Sequence, residues 1–255
     1  MDSLAILSGF GVGLIVGLTG VGGGSLMTPL LIGVFKLNPA IAIGTDLWFA
    51  AVTKTSGSVA HARQKNIDWR LTGLMLTGSI PASILTVAAM HATGVTKNWS
   101  STLTFSLGVA LLLTAVTVAL KHHWQPIGIK LEGYIGPSRK TVLTVASGLL
   151  LGVLVSISSI GAGAIGATLL LLLNPRMDAR RLVGTDIAHA VPLTLVAGIG
   201  HATLGHVDWQ LLLALLIGSL PGIWVGAHLT TKLPDLVVRG ALCLSLVTAG
   251  LKVIH

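Results

Sequence analysis

Four ionisable side chains lie deep inside stretches otherwise fit for hydrocarbon: Asp46, Lys54, Asp186 and His189. Of the eight acidic residues, only Asp46 and Asp186 fall inside apolar segments, and Lys54 is the only base deep in one. A charge in a membrane is costly, so each must face a cavity or a partner. Lys54 follows Asp46 by eight residues, about two helical turns, which puts both on nearly the same face but out of direct contact. This favours Lys54 as a counterion for an anionic substrate over a lysine that snorkels to the interface. Asp46 and Asp186 stand near helix starts, where a carboxylate can cap a helix or carry a proton. His189, three residues beyond Asp186, can titrate near neutrality. His61 and His201 end equivalent helices and read first as interfacial hydrogen-bonding groups. No Ser/His/Asp order, HExxH motif or Walker loop is present. The nine histidines do not fall at metal-ligand spacing, and the single Cys243 can form neither an intrachain disulfide nor a zinc site. No catalytic residue, metal or cofactor is therefore assigned.

Two glycine-rich breaks add backbone chemistry. Gly20-Val21-Gly22-Gly23-Gly24-Ser25 cannot continue a stable helix and opens a short one. The free N–H groups at a helix start favour an anion, and glycine lets an oxyanion approach the backbone closely. Ser159-Ile160-Gly161-Ala162-Gly163-Ala164 is its counterpart, with two fewer glycines. The substrate-binding candidates are Gly22, Gly23, Gly24, Ser25, Thr45, Lys54, Gly161, Gly163 and Thr185. Asp46, Asp186 and His189 are the candidates for proton coupling. Gly9, Gly13 and Gly17 have the spacing of close helix packing in lipid instead.

These residues sit in a chain of 255 residues, 53% hydrophobic and only 9% charged, with a mean hydropathy of +0.88. Soluble domains carry about 25% charged residues. The composition excludes an ordinary cytosolic enzyme, a disordered chain and a nucleic-acid-binding domain; it fits a polytopic helical membrane protein. The net charge of +8 lies mostly in short loops, where it sets orientation rather than recruiting nucleic acid. Met1-Asp2-Ser3 lacks a basic signal-peptide start, so the first apolar segment is expected to be retained. Apolar stretches run over Leu4–Thr19, Leu26–Phe35, Ala40–His61, Leu71–Ala92, Ser101–Leu120, Val142–Ile160, Ile165–Leu173, Val183–His201, Leu211–Thr231 and Leu236–Ile254. Those from Leu26 and Ile165 are too short to span upright, and each reads as the second arm of a broken or re-entrant hairpin.

The chain repeats itself. From Gly44 to Pro81, adding 140 gives the partner residue, and 13 of the 38 pairs are identical. Gly44-Thr45-Asp46 matches Gly184-Thr185-Asp186, His61-Ala62 matches His201-Ala202, and Gly78-Ser79 matches Gly218-Ser219. In the hairpin region the offset is 139. Equivalent loops carry opposite charge bias: Arg63, Lys65 and Arg70 have no basic partners in 203–208, whereas Arg176, Arg180 and Arg181 face only Lys36. The positive-inside rule then puts equivalent loops on opposite sides. The expected architecture is an all-α polytopic membrane protein of two inverted repeats, each a hairpin plus three transmembrane helices. Residues 1–120 form the first repeat, 121–140 a cytoplasmic connecting loop and 141–255 the second repeat, with both termini periplasmic. Such repeats are a transporter architecture with the substrate near the midplane.

Gly20-Val21-Gly22-Gly23-Gly24-Ser25, the Ala42–Asp46 run, the Gly57–His61 region and Asp68-Trp69 resemble the TauE/SafE sulfite exporter family. The resemblance implies a bacterial inner-membrane exporter of sulfite, sulfoacetate or related organosulfonates. Its partners would be the small anion and the bilayer, with no nucleic acid, and a homodimer is compatible with the sequence. A carrier or channel for another small anion is the alternative, and an intramembrane enzyme is disfavoured by the missing catalytic constellation.

Overall fold

The computed structural model describes residues 3–19, 24–93, 97–229 and 235–254. Among them are eleven helices and no strand: α1 (Ser3–Thr19), α2 (Gly24–Gly33), α3 (Pro39–Arg63), α4 (Trp69–Ala92), α5 (Lys97–Ala119), α6 (Lys121–Glu132), α7 (Pro137–Ser158), α8 (Ala164–Leu173), α9 (Ala179–Thr203), α10 (Trp209–Leu229) and α11 (Asp235–Ile254). Five helices among the described residues have the length and apolarity to cross a membrane: α4, most of α5, α7, α9 and most of α10. The chain is therefore a multi-pass membrane protein. α3 is as long, at 25 residues, and carries Asp46 and Lys54 in its interior. α2 and α8 have ten residues each, about 15 Å of rise, half of a 30 Å core.

Side-chain caps mark the starts of α3, α4, α9 and α10. Asn38 accepts from the Ala40 amide at 3.0 Å, ahead of Pro39 in the first turn of α3. Asp178 caps α9 through the Arg180 amide at 3.0 Å. Asp68 and Asp208 cap α4 and α10 through the amides of Leu71 and Leu211. Asp46 and Asp186 therefore lie two turns inside their helices and are not caps. Residues 121–140, read from sequence as a loop, are largely helical. α6 lays Gly128 against the Leu171 and Leu172 carbonyls at the end of α8, and Gln125 donates to the Pro175 carbonyl at 3.0 Å. Lys121, two histidines and Pro126 hid this helix in the sequence.

Contacts between the halves come in matched pairs. α1 packs on α10 and α4 on α7, while α3 meets α9 and α5 meets α11. Gly9 and Gly13 of α1 abut the backbone at Leu215 and Ser219; their equivalents Gly148 and Gly152 abut Met75 and Ser79. These two seams run parallel, since partner numbers rise together. α3 and α9 cross antiparallel: Trp48 donates to the Gly198 carbonyl at 2.9 Å, Gly57 lies beside Ile187, and Gly184 faces His61. The loops after α3 and α9 repeat the same turn, with Lys65 and Gly205 both at positive φ (58° and 73°).

Candidate functional site

The ionisable residues gather where α3 and α9 cross. Asp46 is fully buried, Asp186 is 3% exposed and Lys54 is 7% exposed. Thr28 of α2 donates a short hydrogen bond to Asp46 Oδ2, and Asp46 Oδ1 has no partner. Ser159 stands beside Asp46, its Oγ without a well-formed hydrogen bond. Lys54 Nζ donates a short bond to the carbonyl of Ala162, so a cation of the first half is held by the break of the second. Lys54 also faces the charges of Asp46 and Asp186, and the His189 ring. It does not snorkel.

The break itself is fixed by backbone conformation. Ser159 ends α7 in the left-handed region (φ 59°), and Gly161 and Gly163 take φ values of 117° and 145° that a side chain would strain. Gly163 precedes α8 with no side-chain cap, while the Gly161 and Gly163 carbonyls accept from the Gly166 and Ala167 amides at 2.9 and 2.8 Å. A Cβ at Gly166 would strike Asp186 Oδ1, a buried oxygen with no hydrogen-bond partner. His189 is fully buried, with Nε2 at 2.9 Å from Ser79 Oγ and Nδ1 unpartnered.

Other candidates lie elsewhere. Thr45 Oγ1 accepts from the Asp208 amide at 3.0 Å, and Thr185 Oγ1 accepts from the Asp68 amide at 2.9 Å. These buried hydroxyls join one half to the other's loop rather than facing Lys54. Gly22 and Gly23 lie outside the described residues; Gly24 and Ser25 open α2. His201 holds the Ser156 carbonyl at 2.9 Å and its ring centre is 5.5 Å from that of His206, a loop residue whose pKa is lowered by burial. Sequence reasoning missed Thr28, Ser79, Ser159 and Gly166. Ser79 and Ser159 carried a signal, the first as half of the duplicated Gly-Ser pair and the second as the start of the Ser159–Ala164 break.

The two ends of the α3–α9 crossing carry different contacts. At one, Arg181 pairs with Asp68 at 3.0 Å beside the Thr185 joint. At the other, beside the Thr45 joint, Trp48 packs on Trp209 with ring centres 5.3 Å apart. A cavity of about 350 Å³ opens beside the first end, lined by Asp68, Glu132, Lys140, Asn174, Arg176 and Arg181 among others. Its two arginines are already paired with acids, Arg176 with Glu132 and Arg181 with Asp68, each at 3.0 Å.

A family model described as sulfite exporter TauE/SafE matches residues 5–253. The chain belongs to the TauE/SafE sulfite exporter family. The probable membrane transporter protein YjnA of Bacillus subtilis (strain 168) is 37% identical to it over 264 residues, covering 100% of each chain. The probable membrane transporter protein YdhB of the same organism is 32% identical, covering 97% of this chain and 98% of its own. The probable membrane transporter protein MJ0441 of Methanocaldococcus jannaschii is 27% identical, covering 77% and 70%. No solved structure matches the chain. The protein is thus a membrane transporter of the TauE/SafE family, with its buried charges at the contact between its halves.

Proposed function

We propose that this TauE/SafE protein is a secondary carrier that exports a small sulfur-containing oxyanion, such as sulfite, sulfoacetate or a related organosulfonate, across a bacterial inner membrane. The observation that carries the reading is the Lys54 ammonium of the first half seated on the Ala162 carbonyl of the second, between two buried carboxylates. A neutral carbonyl is a weaker partner for an ammonium than an anion is. An arriving oxyanion exchanges for it, and the backbone N–H groups at the breaks, including Gly22 to Ser25, complete its shell. Asp46 and Asp186 each keep one oxygen open and carry the protons that couple transport. The halves lie inverted in the membrane with both termini outside; the antiparallel crossing of α3 and α9 and the opposite loop charges support this. Rocking one half on the other opens each end in turn.

The test is flux in liposomes. Protein reconstituted with sulfite, sulfoacetate, sulfate or chloride inside is assayed with and without a pH gradient. Sulfite or sulfoacetate efflux accelerated by the gradient is expected. Chloride flux with no sulfur-anion flux would move the function to another anion, and flux indifferent to the gradient would remove the proton-coupling role of the carboxylates.

A further inference from the structure

We propose that His189 is an N–H donor to the transported anion and that Ser79 is the positioning residue that sets its tautomer. The inference rests on the transport reading of the same site and assigns two residues within it. Buried hydroxyls in this fold mostly bond back to their own helix: Thr53 to Phe49, Thr114 to Ala110, Ser156 to Gly152, Thr194 to Ala190. Ser79 makes no such bond. Its Oγ is fully buried and meets only His189 Nε2, across the boundary between the halves. If Nε2 donated, the Ser79 hydrogen would be stranded and Nδ1 would be left as a bare acceptor. If Ser79 donates, both Oγ–H and Nε2 are satisfied, and His189 carries its hydrogen on Nδ1. Burying a polar group without a partner is costly, so the second arrangement prevails. It leaves one open donor, Nδ1–H, buried in the region that Lys54 electrifies. An acceptor-rich anion drawn to Lys54 fills it.

The duplication supplies a matched control. Ser219, the partner of Ser79, is equally buried and equally packed, its backbone against Gly13 as that of Ser79 is against Gly152. Ser219 spends its hydroxyl on the Leu216 carbonyl of its own helix, and Phe49 stands where His189 would be. The donor therefore exists on one side of the crossing only.

Binding of sulfite and of sulfoacetate to purified full-length protein is measured by calorimetry for the parent, Ser79→Ala, Ser219→Ala, His189→Asn and His189→Gln. Asparagine places an amide near the Nδ1 position and glutamine near Nε2. Ser79→Ala is expected to weaken binding by roughly ten- to a hundred-fold, Ser219→Ala to leave it unchanged, and asparagine to bind better than glutamine. Equal affinities for the two serine variants would overturn the inference. Nitrogen NMR of histidine-labelled protein, with His189 assigned by its absence in His189→Asn, reads the tautomer without any ligand. An Nδ1–H signal lost in Ser79→Ala supports the assignment, and an Nε2–H signal in the parent overturns it. Should neither anion bind the parent while the Nδ1–H signal behaves as expected, the sulfur-anion substrate falls and the Ser79–His189 pairing stands.

Discussion

Lys54 has a backbone carbonyl for its partner, so part of the site's chemistry is supplied by main chain. Asp46, Lys54, Asp186 and His189 stood out by type alone, because charge is rare in these segments. What they touch did not: Ala162 contributes only its carbonyl, and Thr28 looks like any threonine in an apolar helix. Thr45 and Thr185 stood out through the repeat, but what repeats there is the joint between halves. Two predictions belong to this scale. Lys54→Gln removes the only buried lysine or arginine among the described residues, and affinity for the best sulfur anion should fall roughly ten- to a hundred-fold, with partial recovery in Lys54→Arg; unchanged calorimetric affinity would take Lys54 out of the site. Gly166→Ala sets a methyl on Asp186 Oδ1. Proton-driven flux should be lost while the protein still purifies folded, and normal flux would show that Asp186 is free to move without consequence.

Helices were easier to read than their neighbours. All ten apolar stretches correspond to helices, since a run of Leu, Val, Ala and Gly in hydrocarbon can satisfy its backbone only that way. α6 escaped because its stabilisation comes from lying on α8, which no local pattern records. The pairing α1–α10 and α4–α7 was equally invisible, although its cause is written in the glycines that let backbones touch. Gly78 and Gly73 lie on the same helix: a side chain at Gly78 would strike the Val145 carbonyl, whereas nothing lies within 4 Å of a Cβ at Gly73. Gly78→Val should therefore destabilise by about 3 kcal/mol or more, and Gly73→Val should cost far less. Thermal unfolding in detergent compares them, and similar midpoints would mean that the α4–α7 seam does not support the fold.

Across the whole molecule, reporter fusions at Lys65, Ser138 and Arg180 should report the cytoplasm, and fusions at Gly205 and the C-terminus the periplasm. Lys65 and Gly205 on one side would collapse the inverted arrangement. On the carrier reading proposed above, the two chemically unlike contacts at the ends of the α3–α9 crossing predict unequal transport in the two directions. The Arg181–Asp68 pair, with side chains 52% and 22% exposed, is weakened by salt, whereas the Trp48–Trp209 contact is apolar and is not. An ion pair of this exposure contributes ~0.2–1 kcal/mol, enough to shift a two-state population by up to about five-fold. Raising ionic strength should therefore loosen one end alone and change the ratio of inward to outward flux, an effect that Arg181→Ala would abolish. On that reading, the resting posture of the carrier depends on the salt of the compartment that its polar end faces.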